Sequence, residues 1–226
     1  DLKKILQFFK KYFDKIKFRN IDSIEKVLSE IKKKNFIIDR NTCSIFFEKI
    51  ISKNNKISNY HDQIYHLKSI KNKSEINNIK SVHIYDGVAV TKYLFWLKKN
   101  FDKRKITELS ASKKLYEFRK INKKFKSLSF PTISSSGPNG AIIHYKANKK
   151  TNRILKKGDI YLIDSGGQYE FGTTDVTRTL SLDNSDKRIK KIFTRVLKGH
   201  IAVADFKMKK GTTGSNIDHY ARKFLK

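Results

Sequence analysis

Two aspartates near the middle of the chain have the spacing of a metal-binding pair. Asp164 lies in Leu-Ile-Asp-Ser-Gly-Gly, and Asp175 follows eleven positions later in Gly-Thr-Thr-Asp-Val-Thr-Arg-Thr. If residues 160–165 and 173–180 form the two arms of a hairpin, the carboxylates face each other, and like charges placed there destabilise a strand pair. A divalent cation between them would remove that repulsion, since carboxylate oxygens suit Mg, Mn and Zn. The alternative is a pair of ordinary turn aspartates that accept local backbone hydrogen bonds.

Histidines supply the next candidates for chemistry. His144 lies in Ala-Ile-Ile-His-Tyr, which we interpret as a strand over 141–145 with the imidazole on the same face as Ile142. Such a histidine is either a hydrogen-bonded core residue or a member of a site, and its position alone leaves both open. His200 lies one turn after Val196 on the apolar side of a predicted helix, so we interpret it as structural. The six histidines form no His-Glu-x-x-His zinc motif.

A mixture of helices and strands must position these residues. Residues 1–60 predict a helix, a short strand and a second helix, and residues 52–73 indicate a polar connector. Later helices are predicted to begin at residues whose side-chain oxygens can accept free backbone N–H groups, namely Ser74, Thr107 and Ser185. Strands are predicted over 130–134, 141–145, 160–164 and 174–182.

The composition is typical of a globular protein. The 226 residues are 38% hydrophobic, and no apolar run reaches the roughly 18 residues that a membrane-spanning helix needs. The single cysteine, Cys43, excludes an intrachain disulfide, and the first residues lack the apolar core of a signal peptide. We therefore predict a reducing, cytoplasmic location.

The net charge of +30, from 51 basic and 21 acidic residues, raises the question of nucleic-acid binding. Lysine predominates and is spread along the chain, whereas nucleic-acid readers more often cluster charge and use arginine for bidentate contacts. We predict a solvated lysine surface, with no specific nucleic-acid partner and no membrane partner. A nonspecific attraction to polyanions would still follow from the charge.

Several segments together resemble aminopeptidase P, also called Xaa-Pro aminopeptidase, one of the pita-bread metallopeptidases. The most specific are Ile-Ile-His-Tyr at 142–145, Leu-Ile-Asp-Ser-Gly-Gly-Gln-Tyr at 162–169 and Gly-Thr-Thr-Asp-Val-Thr-Arg-Thr at 172–179. Weaker similarity covers 66–72, 83–89, 109–119, 136–145 and 196–201. These segments occur in the family's order from about residue 62 to the end.

The resemblance implies an α+β fold. Residues 61–226 would form the N-terminal part of a pita-bread metallopeptidase domain, and residues 1–60 the C-terminal part of a creatinase-like α/β domain. The sequence begins at Asp1 rather than with Met and stops at Lys226 within an amphipathic pattern. We therefore expect a fragment of a longer protein, truncated at both ends.

For the site, the resemblance implies that Asp164 and Asp175 are metal ligands and that Asp175 bridges two divalent ions. His144 would line the substrate site and take part in catalysis. The ions would be Mn2+, with Zn2+ and Co2+ as alternatives. The family's other ligands, one histidine and two glutamates, follow the segment that matches 221–225, so they would lie beyond this chain.

The implied activity is release of the N-terminal residue from peptides with proline in second position. We expect the 226-residue chain alone to be inactive, because three of five ligands are missing from it. A prolidase-type dipeptidase and a non-catalytic pita-bread binding module are the alternatives. The expected partner is a peptide with proline in second position. The assembly expected of the intact protein is a homodimer.

Overall fold

A computed structural model describes residues 7, 9–11, 19–183 and 186–225. The chain divides into two compact units, Asp1–Lys71 and Asn72–Lys226. The assignment of 1–60 to a creatinase-like domain and of 61–226 to a pita-bread domain stays a prediction. Among the described residues, no helix is both long enough and apolar enough to cross a membrane.

The first unit contains a parallel strand pair with a helix between its strands. Its elements are α1 (Ile24–Glu30), β1 (Asn35–Ile38), α2 (Ile45–Ser52), β2 (Lys56–Asn59) and α3 (Gln63–Ser69). β1 and β2 pair in parallel, which requires a crossover such as α2. The predicted order of helix, strand and helix is confirmed. The connector predicted over 52–73 is wrong in part, because it contains β2 and α3.

The second unit begins with two helices and contains two more near its end. They are α4 (Lys73–Asn100), α5 (Glu108–Lys120), α6 (Lys187–Ala204) and α7 (Gly214–Arg222). Thr107 caps α5 as predicted. The cap of α4 is Asn72 rather than Ser74, because the Asn72 side chain accepts from the backbone of the first turn in a capping box. Ser185 lies outside the described residues, and Asp186 caps α6.

The strands of the second unit form two antiparallel sheets. They are β3 (Phe125–Leu128), β4 (Ile133–Ser136), β5 (Ile160–Ser165), β6 (Gly167–Tyr169), β7 (Gly172–Thr173) and β8 (Val176–Ser181). The sheet orders are β3-β6-β7 and β4-β5-β8. The strand predicted over 160–164 is confirmed, and those over 130–134 and 174–182 are present with shifted ends. The sequence pattern does not predict β3, because a register shift between Phe125 and Ser127 breaks its two-residue alternation.

The strand predicted over 141–145 is wrong. Gly137–Ala141 forms a 3-10 helix with proline at its start, and the chain then turns through His144, whose φ is 55°. That angle lies in the left-handed region rather than the strand region. His144 therefore shares no strand face with Ile142.

α4 and α5 cover one face of the β4-β5-β8 sheet. Leu97 of α4 and Leu115 of α5 lie with Tyr161 and Ile163 of β5 in one buried apolar cluster. Successive side chains of a strand point to opposite faces of its sheet. Asp164 therefore lies on the face of β5 that is turned away from this core.

Buried hydroxyl groups cross the same interface. The Tyr93 hydroxyl oxygen lies 2.8 Å from that of Tyr161, which lies 2.7 Å from Ser134 Oγ. Ser134 Oγ donates to the main-chain oxygen of Glu108 at 2.7 Å. These four residues, all buried, link α4, the sheet and α5 by hydrogen bonds.

Candidate metal site

Asp164 occupies the penultimate position of β5, where its neighbours are Ile133 on β4 and Thr177 on β8. The residue is partly buried. Its Oδ1 is buried and has no hydrogen-bond partner among the described residues. Because buried carboxylate oxygens are normally satisfied by a partner, this atom has the property expected of a ligand to a cation.

Asp175 comes directly before β8 and is exposed. The strands of the predicted hairpin do pair, but Asp164 stands opposite Thr177, two residues beyond Asp175. The carboxylates are therefore diagonal neighbours rather than directly opposed, which corrects the predicted register. The reason is that the intervening chain is not a simple turn: it forms β6 and β7, which pair with each other, and β6 also pairs with β3.

One cavity brings the predicted residues together. Its volume is about 430 Å³. It is lined by Phe130, Pro131, Ile133, His144, Tyr145, Lys146, Asp164 and Asp175. The cavity thus combines an apolar wall with two carboxylates, an imidazole and an ammonium group. Sequence reasoning found the two aspartates and His144 but not the apolar wall, whose residues have no distinctive pattern.

Hydrogen bonds from two directions hold Thr174, the residue before Asp175. Its N–H donates to the Gly167 oxygen at 2.9 Å, and its Oγ1 accepts from the Gly167 N–H at 2.9 Å. Ser129 Oγ donates to the Thr174 oxygen at 2.9 Å. Gly166 allows this approach, because a Cβ there would overlap the Thr174 oxygen and Ser129 Oγ. The backbone that presents Asp175 is therefore fixed.

A buried ion pair joins α4 and α5 near Thr174. Arg119 of α5 donates to both carboxylate oxygens of Asp86 on α4, at 2.7 and 3.0 Å, and both side chains are fully buried. The Tyr169 hydroxyl donates to Asp86 Oδ1 at 2.7 Å. Burial raises the pKa of the Asp86 carboxyl. The hydrogen bonds and charge of Arg119, with hydrogen bonds from Tyr169 and Thr174, outweigh burial and lower that pKa below its usual value. Asp86 is thus held as an anion.

The residues at the cavity fit a divalent ion in part. Asp164 and Asp175 supply hard oxygen donors, and one of these oxygens is buried without a partner. Among residues 19–183 and 186–225 and the few described before them, no group of three or more His, Cys, Asp and Glu side chains is placed to hold a metal. The two carboxylates would therefore supply only some of the ligands that a metal ion needs.

Comparison with known proteins gives a consistent family. The model of Metallopeptidase family M24 matches residues 77–226. Probable Xaa-Pro aminopeptidase P of Paracoccidioides brasiliensis (strain Pb03) is 46% identical over 173 residues, which cover 76% of this chain and 28% of that protein. The chain thus spans less than a third of the length of this curated relative.

Solved structures give the same result for the fold. X-prolyl aminopeptidase from Caenorhabditis elegans, a cytosolic enzyme with a di-nuclear active site, superposes with a TM-score of 0.84 at 29% identity, over 98% of this chain and 37% of that one. Prolidase from Pyrococcus furiosus superposes with a TM-score of 0.72 at 24% identity, over 93% and 59% of the two chains. The predicted resemblance to aminopeptidase P and the predicted α+β, partial pita-bread fold are confirmed.

Proposed function

Because the chain belongs to metallopeptidase family M24, we propose that the whole protein is a metal-dependent Xaa-Pro aminopeptidase. It would release the N-terminal residue from peptides with proline second. One observation carries the proposal: Asp164, Asp175 and His144 line a single cavity, in which a buried Asp164 oxygen has no partner among the described residues. The identity to a protein named as a probable Xaa-Pro aminopeptidase P supports the substrate class.

We assign different roles to the residues that line the cavity. Asp164 and Asp175 would hold two divalent ions, with Mn2+ as the proposed metal and Zn2+ or Co2+ as alternatives. Bound there, such ions would supply Lewis-acid activation of water and of the scissile carbonyl. His144 would hydrogen-bond the substrate beside the scissile bond. The apolar side chains of Phe130, Pro131 and Ile133 would contact the proline ring.

The remaining ligands would come from elsewhere in the whole protein. The family resemblance implies one histidine and two glutamates after the segment that matches 221–225, and we propose that they lie C-terminal to residue 226. Two carboxylates supply too few ligands to hold two divalent ions. The 226-residue chain alone would therefore be inactive. We further propose that the protein acts in the cytoplasm and that it assembles as a homodimer.

A test of the metal assignment compares variants of the full-length protein. Asp175→Asn should lose bound Mn2+ and at least about 100-fold in kcat for release of the first residue from an Xaa-Pro tripeptide, because asparagine lacks the negative charge that a carboxylate ligand offers a divalent ion. Asp218→Asn is the control, since that exposed carboxylate only pairs with Arg222 on the surface of α7. Unchanged metal content and activity in Asp175→Asn would refute the assignment.

The structural similarity to prolidase supports a second candidate function, that of a dipeptidase. A prolidase-type dipeptidase would cleave Xaa-Pro dipeptides and leave tripeptides intact, so the two substrates assayed side by side decide between the activities. A full-length protein that binds no Mn2+ and cleaves neither peptide would instead support a non-catalytic binding module. Peptide release by the 226-residue chain alone would contradict the proposed placement of the missing ligands.

A further inference from the structure

Glu108, the first residue of α5, is a fully buried carboxylate outside the candidate site. Its Oε1 accepts from the Ser136 N–H at 2.7 Å and from Asn139 Nδ2 at 3.0 Å. Its Oε2 accepts from the Tyr145 hydroxyl at 2.9 Å and from the Arg153 N–H at 3.0 Å. Four residues thus donate hydrogen bonds to one carboxylate. These bonds offset the large free-energy cost of burying its charge.

All four donors belong to one segment, residues 136–153, which runs from the end of β4 past His144. Through its own backbone, Glu108 also bonds to the last residue of this segment and to the strand that precedes it. Its N–H donates to the Arg153 oxygen at 3.0 Å, and its oxygen accepts from Ser134 Oγ at 2.7 Å. We call residues 136–153 the His144 loop. One side chain of α5 therefore bonds to this loop near its start, at its middle and at its end.

The His144 loop needs such support. His144 has a φ of 55°, a left-handed conformation that is strained for a residue other than glycine. Such conformations persist where the surrounding structure over-determines them. The two residues before His144 do not hold it by packing, since Ile142 is 55% and Ile143 is 86% exposed. Tyr145, the residue after His144, is buried and can hold it in place.

Tyr145 connects the two features. Its side chain lines the cavity beside His144, and its hydroxyl reaches Glu108 at 2.9 Å. Burial raises the pKa of the Tyr145 hydroxyl, and the neighbouring Glu108 carboxylate raises it further. The hydroxyl therefore keeps its proton and remains a donor to Glu108 at neutral pH.

We propose that Glu108 is a positioning residue that holds the His144 loop so that His144 lies at the cavity with Asp164 and Asp175. The inference rests on the proposed function, since it concerns the delivery of His144 to that site. Glu108 does not itself line the cavity, so it acts through the loop rather than on substrate.

The chemistry of the contacts separates glutamate from its amide. The Ser136 and Arg153 N–H groups bind different oxygens of the carboxylate, Oε1 and Oε2. Glutamine has the same shape, but it replaces one acceptor oxygen with an NH2 group that would point at donors. Leaving buried donors without an acceptor is costly. Glu108→Gln should therefore loosen the loop without removing volume from the core.

The first test is trypsin cleavage of the full-length protein, mapped by mass spectrometry. The loop contains Lys146, Lys149 and Lys150, all exposed. Glu108→Gln should be cut at these lysines at least about tenfold faster than the parent protein. Glu117→Gln is the matched control, because it lies on the same helix and is exposed, with a bond only to Lys114. Equal cleavage of the two variants and the parent would overturn the proposal, and this readout does not depend on any activity.

The second test uses activity and Mn2+ binding of the full-length protein. Glu108→Gln should bind Mn2+ like the parent but lose about 100-fold in kcat/KM, the effect expected of a misplaced group. When Glu108→Gln is combined with His144→Ala, kcat/KM should fall little further than in His144→Ala alone. The reason is that both changes remove the contribution of a correctly placed His144. Losses that multiply in the double variant would overturn the proposal.

A third variant guards against failure to fold. Tyr145→Phe removes the hydroxyl on the loop side and keeps Glu108, so it should show faster cleavage at Lys146 and a smaller loss of kcat/KM. Cleavage of Tyr145→Phe at the parent rate would count against the proposal. Loss of Mn2+ binding in Asp175→Asn tests the proposed function independently, so failure of one proposal is distinguishable from failure of the other.

Discussion

At the scale of single residues, the candidate site depends on neighbouring residues that are not themselves proposed ligands or catalytic groups. Asp164 and Asp175 could be predicted from their sequence segments, because the short motifs around them are distinctive. Gly166 and Glu108 could not be singled out, since their roles arise from contacts with residues far away in the sequence. Gly166 is needed where the Thr174 oxygen approaches it, and Glu108 where the His144 loop closes on it.

Gly166→Ala should therefore disturb the site from outside it. The new Cβ would overlap the Thr174 oxygen and displace the backbone that presents Asp175. We expect the unfolding free energy to fall by about 1–3 kcal/mol, as for other overpacked positions, and the affinity for Mn2+ to fall with it. Urea unfolding and calorimetric titration of the full-length protein measure both.

Gly87→Ala is the control for this change. Gly87 lies inside α4 with no atom within 4 Å of an added Cβ, so alanine there should raise helix stability by up to about 1 kcal/mol. Similar stabilities and Mn2+ affinities for the two alanine variants would show that the close approach at Gly166 has no energetic weight.

At the scale of elements, the sequence predicts helices better than the chain between them. Thr107 is a correct helix start because capping is a local interaction. The segment 141–145 is a wrong strand because distant contacts decide its shape: the apolar Ile142 and Ile143 favour a strand, yet Glu108 holds the adjoining backbone in a loop. The positions of α4 and α5 relative to each other depend on the Asp86–Arg119 pair, which no local pattern indicates.

Asp86→Asn should destabilise the packing of α4 on α5. It leaves the buried Arg119 charge without its counter-charge, and breaking a buried pair in this way costs about 3–5 kcal/mol. Replacing both partners with apolar residues, Asp86→Leu with Arg119→Met, should cost less than the single change because no charge is left buried. Urea unfolding of the full-length variants measures both effects.

The exposed Lys114–Glu117 pair on α5 provides the comparison. Glu117→Gln should leave the unfolding transition unchanged, because solvent already screens that pair. A double Asp86/Arg119 variant less stable than Asp86→Asn would contradict the explanation.

At the scale of the whole molecule, the net charge of +30 governs how the protein meets other macromolecules. Lysine, a compact and strongly hydrated charge, supplies most of it and gives little base-specific readout. A charge of this size attracts any polyanion, and counterion release makes such binding weaken steeply with salt. The prediction that no specific nucleic-acid partner exists therefore has a measurable form.

Two DNA duplexes of equal length and different sequence should bind the full-length protein with equal affinity. The affinity of both should fall steeply as salt is raised from about 50 to 200 mM. Fluorescence anisotropy measures this directly. A preference of tenfold or more for one duplex at a fixed salt concentration would favour a nucleic-acid-binding role instead.

The buried hydroxyl groups between α4 and α5 have a direction. The main-chain oxygen of Glu108 can only accept, so the Ser134 hydrogen is committed to it. Tyr161 must then give its hydrogen to Ser134, and Tyr93 must give its hydrogen to Tyr161. The hydrogens thus all point one way, from α4 through the sheet to the first residue of α5.

This polarity makes two similar substitutions unequal. Tyr93→Phe removes the first donor of the series and leaves only a spare lone pair on Tyr161. Tyr161→Phe removes a middle member, so the Tyr93 hydrogen loses its acceptor and the Ser134 oxygen loses its donor. Since a buried donor without an acceptor costs about 1–3 kcal/mol, Tyr161→Phe should be the less stable variant on urea unfolding of the full-length protein. Equal stabilities of the two variants would contradict this explanation.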